Sequence, residues 1–203
     1  MSYQHRGTAR MSGSAIRNAT AQKPSVSVIG ECDQAVSAVA CLEMLGFRVV
    51  LIERDMGIDR ICHAIRTTDV TFVYAATAIG TDGRRDFTLL ERAACAIGRA
   101  ISDKRTFHAV VLRSPVPPGT AQGIVGPIVE CVSGRHENID FGVAVFADSG
   151  EEVTVPEDVF AMPISGVGAG CSQVATLIEK MVKPITKSFT VTSISAAERA
   201  AWN

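Results

Sequence analysis

A chain of 203 residues that is 47% hydrophobic can build one large core. Its 20 basic and 21 acidic residues are mixed along the sequence and leave a net charge of −1, so no global field favours nucleic acid or an anionic membrane as partner. No apolar run approaches the ~20 residues of a transmembrane helix and the N-terminus lacks a hydrophobic signal core, so the expected location is the cytoplasm.

The first 24 residues carry Ser, Thr, Gly and basic side chains and no acid, and read as a disordered tail before a single domain over 25–203. From Ser25 to Glu53 a short β-branched run, a Gly-led turn, an apolar helix ending at Gly46 and a second apolar run make a βαβ unit. The three small positions of the dinucleotide fingerprint G-x-G-x-x-G read Gly30, Cys32 and Ala35. A helix is expected over Ile58 to Arg66 and a third strand over Val70 to Ala75. The loop Thr77 to Asp86 leads into a long helix from Phe87 to Ser102, with Leu90, Ala93, Ala94, Ile97 and Ile101 at helical spacing.

A fourth strand, Ala109 to Arg113, ends in Ser114-Pro-Val-Pro-Pro-Gly-Thr120, where the prolines forbid a strand and Gly119-Thr120 open a helix to Cys131. Fifth and sixth strands follow at Phe141 to Phe146 and Val159 to Ile164, the latter at an edge because of Pro163. Gly166-Val-Gly168-Ala-Gly170 reads as a turn into a helix over Ser172 to Val182. Its helix start could receive a phosphate, but plain turn flexibility is the favoured reading. A last strand near Phe189 to Thr192 and a helix starting at Ser195 close the pattern. Continuous apolar strands alternating with helices predict an α/β, doubly wound, mostly parallel sheet of Rossmann type.

The six cysteines include no Cys-x-x-Cys pair and the four histidines form no constellation, so no metal site is expected and the thiols read as reduced, small core residues. Cys171 could be a nucleophile but, with no His near in sequence, reads rather as a packed thiol; Arg84, Arg85 and Arg113 could bind an anion, with solvated surface cations the favoured reading.

Four segments in register carry a resemblance: Val28-Ile-Gly30 to Gly46, Phe72-Val-Tyr-Ala-Ala-Thr77, Val110 to Thr120, and Asp140-Phe-Gly-Val143. Together they resemble the N-terminal NAD-binding domain of the nucleotide-sugar 6-dehydrogenases, the UDP-glucose and GDP-mannose dehydrogenase family, with the GDP-mannose branch closer. Such enzymes oxidise a sugar C6 alcohol to a carboxylate in two hydride transfers to NAD. The resemblance places cofactor contacts at Gly30, Cys32, Ala35, Glu53, Thr77, Ser114 and Thr120. It also places the family's catalytic glutamate, lysine and asparagine at Asp148, Arg199 and Asn203.

Several of these positions depart from the family pattern. Cys32 puts a side chain where backbone should meet pyrophosphate, and Glu31 and Asp33 add negative charge beside it. Asp148 is one methylene shorter than glutamate, and Arg199 cannot serve as a neutral base. Glu53 reads equally as an acid for the ribose hydroxyls and as a solvated strand-end acid. The resemblance runs out at Asn203, before the family's cysteine and sugar-nucleotide domain. The expectation is therefore a degenerate domain with weak or lost NAD affinity, non-catalytic alone, in a binding or regulatory role linked to exopolysaccharide biosynthesis. The alternative is a subunit or fragment of an active dehydrogenase. The Ala-rich final helix with Trp202 is expected to be an exposed apolar stub that self-associates or meets a full-length dehydrogenase.

Overall fold

The computed structural model describes residues 23–53, 55–80, 83–148, 164–183 and 189–202, with the side chains of 147–148 and 164–165 left aside. The tail expected over 1–24 lies outside the described residues except for Lys23 and Pro24. Lys23 is already tied down, its Nζ donating to the carbonyl of Leu45 and lying 5.3 Å over the Phe47 ring.

Seven strands form one sheet: β1 (Val26–Ile29), β2 (Val49–Ile52), β3 (Val70–Val73), β4 (His108–Leu112), β5 (Phe141–Asp148), β6 (Ile164–Ala169) and β7 (Thr190–Thr192), in spatial order β2-β1-β3-β4-β5-β6-β7. All neighbours are parallel except β5 and β6. The expected doubly wound sheet is thus present. Its central strands are buried along their whole length, as every residue of Val70–Val73 and of His108–Leu112 shows, because helices cover both faces.

On one face lie α2 (Ile58–Arg66), α3 (Thr88–Ile101), α4 (Gly126–Ser133) and α6 (Ile194–Trp202). On the other lie α1 (Asp33–Met44) and α5 (Ser172–Val182). The period-two alternation of the strands divides the core accordingly: Val73, Leu112 and Val145 face the first group, Phe72, Val111 and Phe146 the second. A Cβ on Gly98 would lie 2.8 Å from Val132 Cβ, so glycine there lets α3 and α4 cross closely.

Several expectations change. The helix expected over Ala121 to Cys131 begins as a π-wound turn, Ala121–Val125, before becoming α4 and ending at Gly134 in the left-handed conformation. Of the expected sixth strand, residues 159–163 lie outside the described residues; Ile164 opens a strand that runs on to Ala169 and lies between β5 and β7, not at an edge. The glycine-rich stretch 166–170 is therefore strand up to Ala169, not a turn. A Cβ on Gly166 would come within 2.7 Å of the Thr190 carbonyl, and one on Gly168 within 2.6 Å of Ala197 Cβ and 2.7 Å of Ile194 Cα. Gly166 and Gly168 are there for close approach, which overturns the flexible-turn reading of that stretch.

The final helix is not an exposed stub either. Ile194, Ala197 and Glu198 are buried against the chain's own sheet, and only its far side, with Arg199, Ala200 and Trp202, is exposed. The uniform core role expected of the cysteines also fails: Cys41 is buried, and burial pushes its thiol pKa up, whereas Cys32 and Cys131 are exposed. Cys171 is a packing residue, its Sγ 3.2 Å from where a Gly142 Cβ would stand.

Candidate functional site

Strand register assembles one row of residues at the carboxyl edge of the sheet. Ile52, Ile29, Val73, Leu112 and Val145 are paired across β2, β1, β3, β4 and β5, so the next residues along these strands are Glu53, Gly30, Tyr74, Arg113 and Phe146. The two sides of the sheet wind in opposite directions between β1 and β3, where a crevice opens beyond the strand ends; ligands of open α/β sheets bind there.

Gly30 begins the β1–α1 turn with φ +152°, and a side chain there would put its Cβ 2.6 Å from Tyr74 Cβ and 3.2 Å from Ala35 Cβ. Ala35 is fully buried in the α1 packing, so two of the three fingerprint positions keep their structural roles. Cys32 stands at the N-cap with extended backbone, makes no side-chain cap, and is exposed between exposed Glu31 and Asp33. Glu31, Cys32 and Asp33 thus stand exposed at the start of α1, directly after the glycine-led turn. Glu53, also exposed, stands beside Gly30 across the sheet.

Next in the row, Arg113 corrects the surface-cation reading. It is only 8% exposed, its Nε donates to the Tyr74 hydroxyl at 3.3 Å, and its guanidinium carbon lies 4.7 Å from the Phe146 ring centroid. Arg85 is half-buried and packs elsewhere, its Nη1 donating to the Thr77 carbonyl at 2.5 Å while its guanidinium carbon lies 4.3 Å over the Trp202 ring.

Of the other expected contacts, Thr77 is buried in the segment that follows β3 and Ser114 is half-buried in the one that follows β4. Thr120 is buried, and its hydroxyl donates to the Pro117 carbonyl at 2.6 Å, so it closes its own loop. Thr77 and Ser114 therefore stand at the same edge of the sheet as Gly30. Arg199 is exposed on α6. Asp148 ends β5, but its side chain lies outside the described residues, as does Asn203.

Sequence reasoning missed two groups. Glu198 is fully buried and accepts hydrogen bonds from the backbone N–H groups of Gly119 and Ala121, at 2.6 and 2.8 Å. Helical spacing held the signal, since Ile194, Ala197 and Glu198 at i, i+3 and i+4 share one stripe. The second group lies at the opposite, amino edge of the sheet and is built around one of the four scattered histidines. His108 is fully buried between Thr71 Oγ1 and Lys104 Nζ, each 2.8 Å from a ring nitrogen. Among the described residues no cluster of His, Cys, Asp and Glu could hold a metal, and no helix is long and apolar enough to cross a membrane.

Fold and site together define a Rossmann-type dinucleotide-binding domain, with its crevice at the strand-order reversal. The chain belongs to the UDP-glucose/GDP-mannose dehydrogenase family, whose NAD binding domain it matches over residues 52–186. The matched stretch begins at the end of β2, so the Gly30 turn lies outside it. GDP-mannose 6-dehydrogenase of Pseudomonas syringae pv. tomato is 33% identical over 135 residues, 64% of this chain and 31% of that protein. UDP-glucose 6-dehydrogenase of Haloferax volcanii is 27% identical over 142 residues, covering 68% of this chain and 33% of that protein. The chain thus spans about a third of the curated relatives it matches. Among solved structures, GDP-mannose dehydrogenase of Pseudomonas aeruginosa superposes with TM-score 0.77 at 24% identity, over 87% of this chain and 48% of that one. UDP-glucose dehydrogenase of Pyrobaculum islandicum superposes with TM-score 0.75 at 26% identity, over 91% and 50%.

Proposed function

We propose that this domain keeps the scaffold of a nucleotide-sugar dehydrogenase's NAD-binding half, binds an NAD-type dinucleotide weakly, and is non-catalytic on its own. Its role is then binding or regulation alongside nucleotide-sugar oxidation, of the kind that serves polysaccharide synthesis. The observation that carries the reading is the β1–α1 turn. Its glycine-led backbone is kept, while Cys32, Glu31 and Asp33 crowd and charge the helix start that would receive the pyrophosphate.

Calorimetric titration of NADH into the wild-type chain and into Cys32→Gly tests this. Weak binding that tightens at least tenfold in Cys32→Gly supports it. Micromolar binding by the wild type overturns the weakened site, and no binding by either overturns the nucleotide itself. Reduction of NAD with GDP-mannose or UDP-glucose, by the chain alone or mixed with a second polypeptide, would instead make it a subunit of an active dehydrogenase. A second copy, or a full-length dehydrogenase, would meet the chain through the exposed side of α6, where Trp202 is 38% exposed. Light scattering across a concentration series reads self-association, and a monomer throughout ends that part of the proposal.

A further inference from the structure

The crevice is bordered by the segments that follow β3 and β4, and α6 contacts both. Glu198 reaches back 79 residues to the N–H of Gly119 and 77 residues to that of Ala121, one carboxylate oxygen on each. Gly119, at φ +91°, turns the chain out of the proline loop and into the helix. The two amides belong to the start of a helix, where N–H groups lack intrahelical acceptors and the helix dipole favours a negative charge. A buried carboxylate taking both makes charge-assisted bonds that fix the end of the loop carrying Ser114 and Thr120.

One turn further along α6, Trp202 lies against the Arg85 guanidinium, and that same guanidinium donates to the Thr77 carbonyl. The helix is itself seated closely. Gly168 leaves room for Ile194 and Ala197 against β6, so α6 stands at a fixed height above the sheet. The glycines of β6, the buried carboxylate of α6 and the two crevice segments form one continuous chain of contacts.

From this arrangement we propose that Glu198 is a positioning residue that couples the docking of α6 to the shape of the crevice. It does so by holding the Ser114–Thr120 loop at its helix end. The inference deepens the nucleotide-binding reading above and rests on it for the ligand. A group that moves α6 then changes nucleotide affinity without touching the nucleotide, and a bound nucleotide holds α6 down by the same free energy.

The test uses the full chain in the Cys32→Gly background, where the reading above expects tighter binding, with Glu198→Gln and Glu198→Asp added. Glutamine keeps the volume but turns an NH2 toward one of the two N–H groups, and aspartate falls a methylene short. Hydrogen exchange is expected to rise at least tenfold at Gly119 and Ala121 in Glu198→Gln, with the strands β1, β3 and β4 unchanged. NADH affinity is expected to fall at least fivefold. In Glu198→Asp, which keeps the charge, part of the affinity is expected to return. Thr71→Val, destabilising but at the opposite edge of the sheet, should leave the affinity unchanged and so separates positioning from loss of stability. Unchanged exchange at the two amides, or raised exchange with unchanged NADH affinity, overturns the proposal. If Cys32→Gly itself binds no NADH, the nucleotide reading fails and the exchange result alone decides whether Glu198 holds the loop.

Discussion

His108 and Thr71 meet at 2.8 Å in the interior of the sheet, the imidazole Nε2 facing the threonine hydroxyl across neighbouring parallel strands. On the other side of the ring, Lys104 Nζ lies 2.8 Å from Nδ1 and also donates to the Thr68 carbonyl. Nδ1 thus faces both the Lys104 amine and the Thr68 carbonyl, 3.2 Å away, and burial keeps the imidazole neutral. Burial first, and then the Lys104 charge, hold the His108 pKa down to about 3.

Acid stability follows with a definite sign. The folded pKa lies below the ordinary value of 6.5, so the unfolded chain takes up a proton that the folded chain refuses. This contribution is complete above pH 6.5 and is lost as pH falls from 6.5 toward 3, with a slope approaching ~1.4 kcal/mol per pH unit. Urea midpoints between pH 7 and pH 5, where carboxylates stay largely ionised, should fall steadily. Lys104→Met removes a charge that opposes His108 protonation, so its loss on acidification should be smaller. A wild-type midpoint that is flat over that range contradicts the account.

Thr71→Val tests the same network through its neutral end. Valine matches threonine in shape but leaves His108 Nε2 and the Ser27 hydroxyl, each 2.8 Å from Thr71 Oγ1, without that partner. A buried polar group left unsatisfied costs about 1–3 kcal/mol. The expected result is that loss in a urea titration with an unchanged m-value, and a loss under ~0.5 kcal/mol would mean the network relaxes around the change.

This network also marks where the sequence stops being legible. The doubly wound, mostly parallel sheet was readable, though not its strand order, because apolar strands and amphipathic helices alternate, and the helices at Ile58–Arg66 and Ser172–Val182 match their expected bounds. The Gly30 turn was readable because a local turn needs a local glycine. His108, Lys104, Thr71 and Ser27 come from three strands and a loop, and nothing in their spacing announces that they meet. The stretch 166–170 misled for a related reason. Glycines that clear a path for another backbone look the same in sequence as glycines that make a turn. Only the positions of β7 and α6, more than twenty residues later, distinguish the two.

Gly168→Ala measures that clearance directly. The added methyl would stand 2.6 Å from Ala197 Cβ and 2.7 Å from Ile194 Cα and the Ser193 carbonyl, two of the three contacts being backbone. Overpacking of this kind costs about 1–3 kcal/mol. The expected variant is less stable and shows faster hydrogen exchange in α6 than in α3. Gly123→Ala is the opposite case, with nothing within 4 Å of the new methyl. It should stabilise by about 0.4–1 kcal/mol through the unfolded chain alone. Equal effects of the two substitutions would remove the close-approach explanation of β6.

The fingerprint turn separates into a structural glycine and a replaceable neighbour. Gly30→Ala places a Cβ 2.6 Å from Tyr74 Cβ and 3.0 Å from the Tyr74 carbonyl, at a φ of +152° that L side chains rarely adopt. Strain in such backbone costs about 1–3 kcal/mol before the clash with β3 is added. A clear loss of stability is therefore expected in thermal and urea unfolding. Cys32 is exposed, caps nothing and has ordinary extended backbone at φ −80°, so Cys32→Gly should change stability by no more than ~0.5 kcal/mol. If both substitutions proved neutral, the turn would not be anchored on Tyr74. If Cys32→Gly were strongly destabilising, the thiol would have a structural role, and its exposure at the crevice mouth could no longer be read as a departure that packing leaves free.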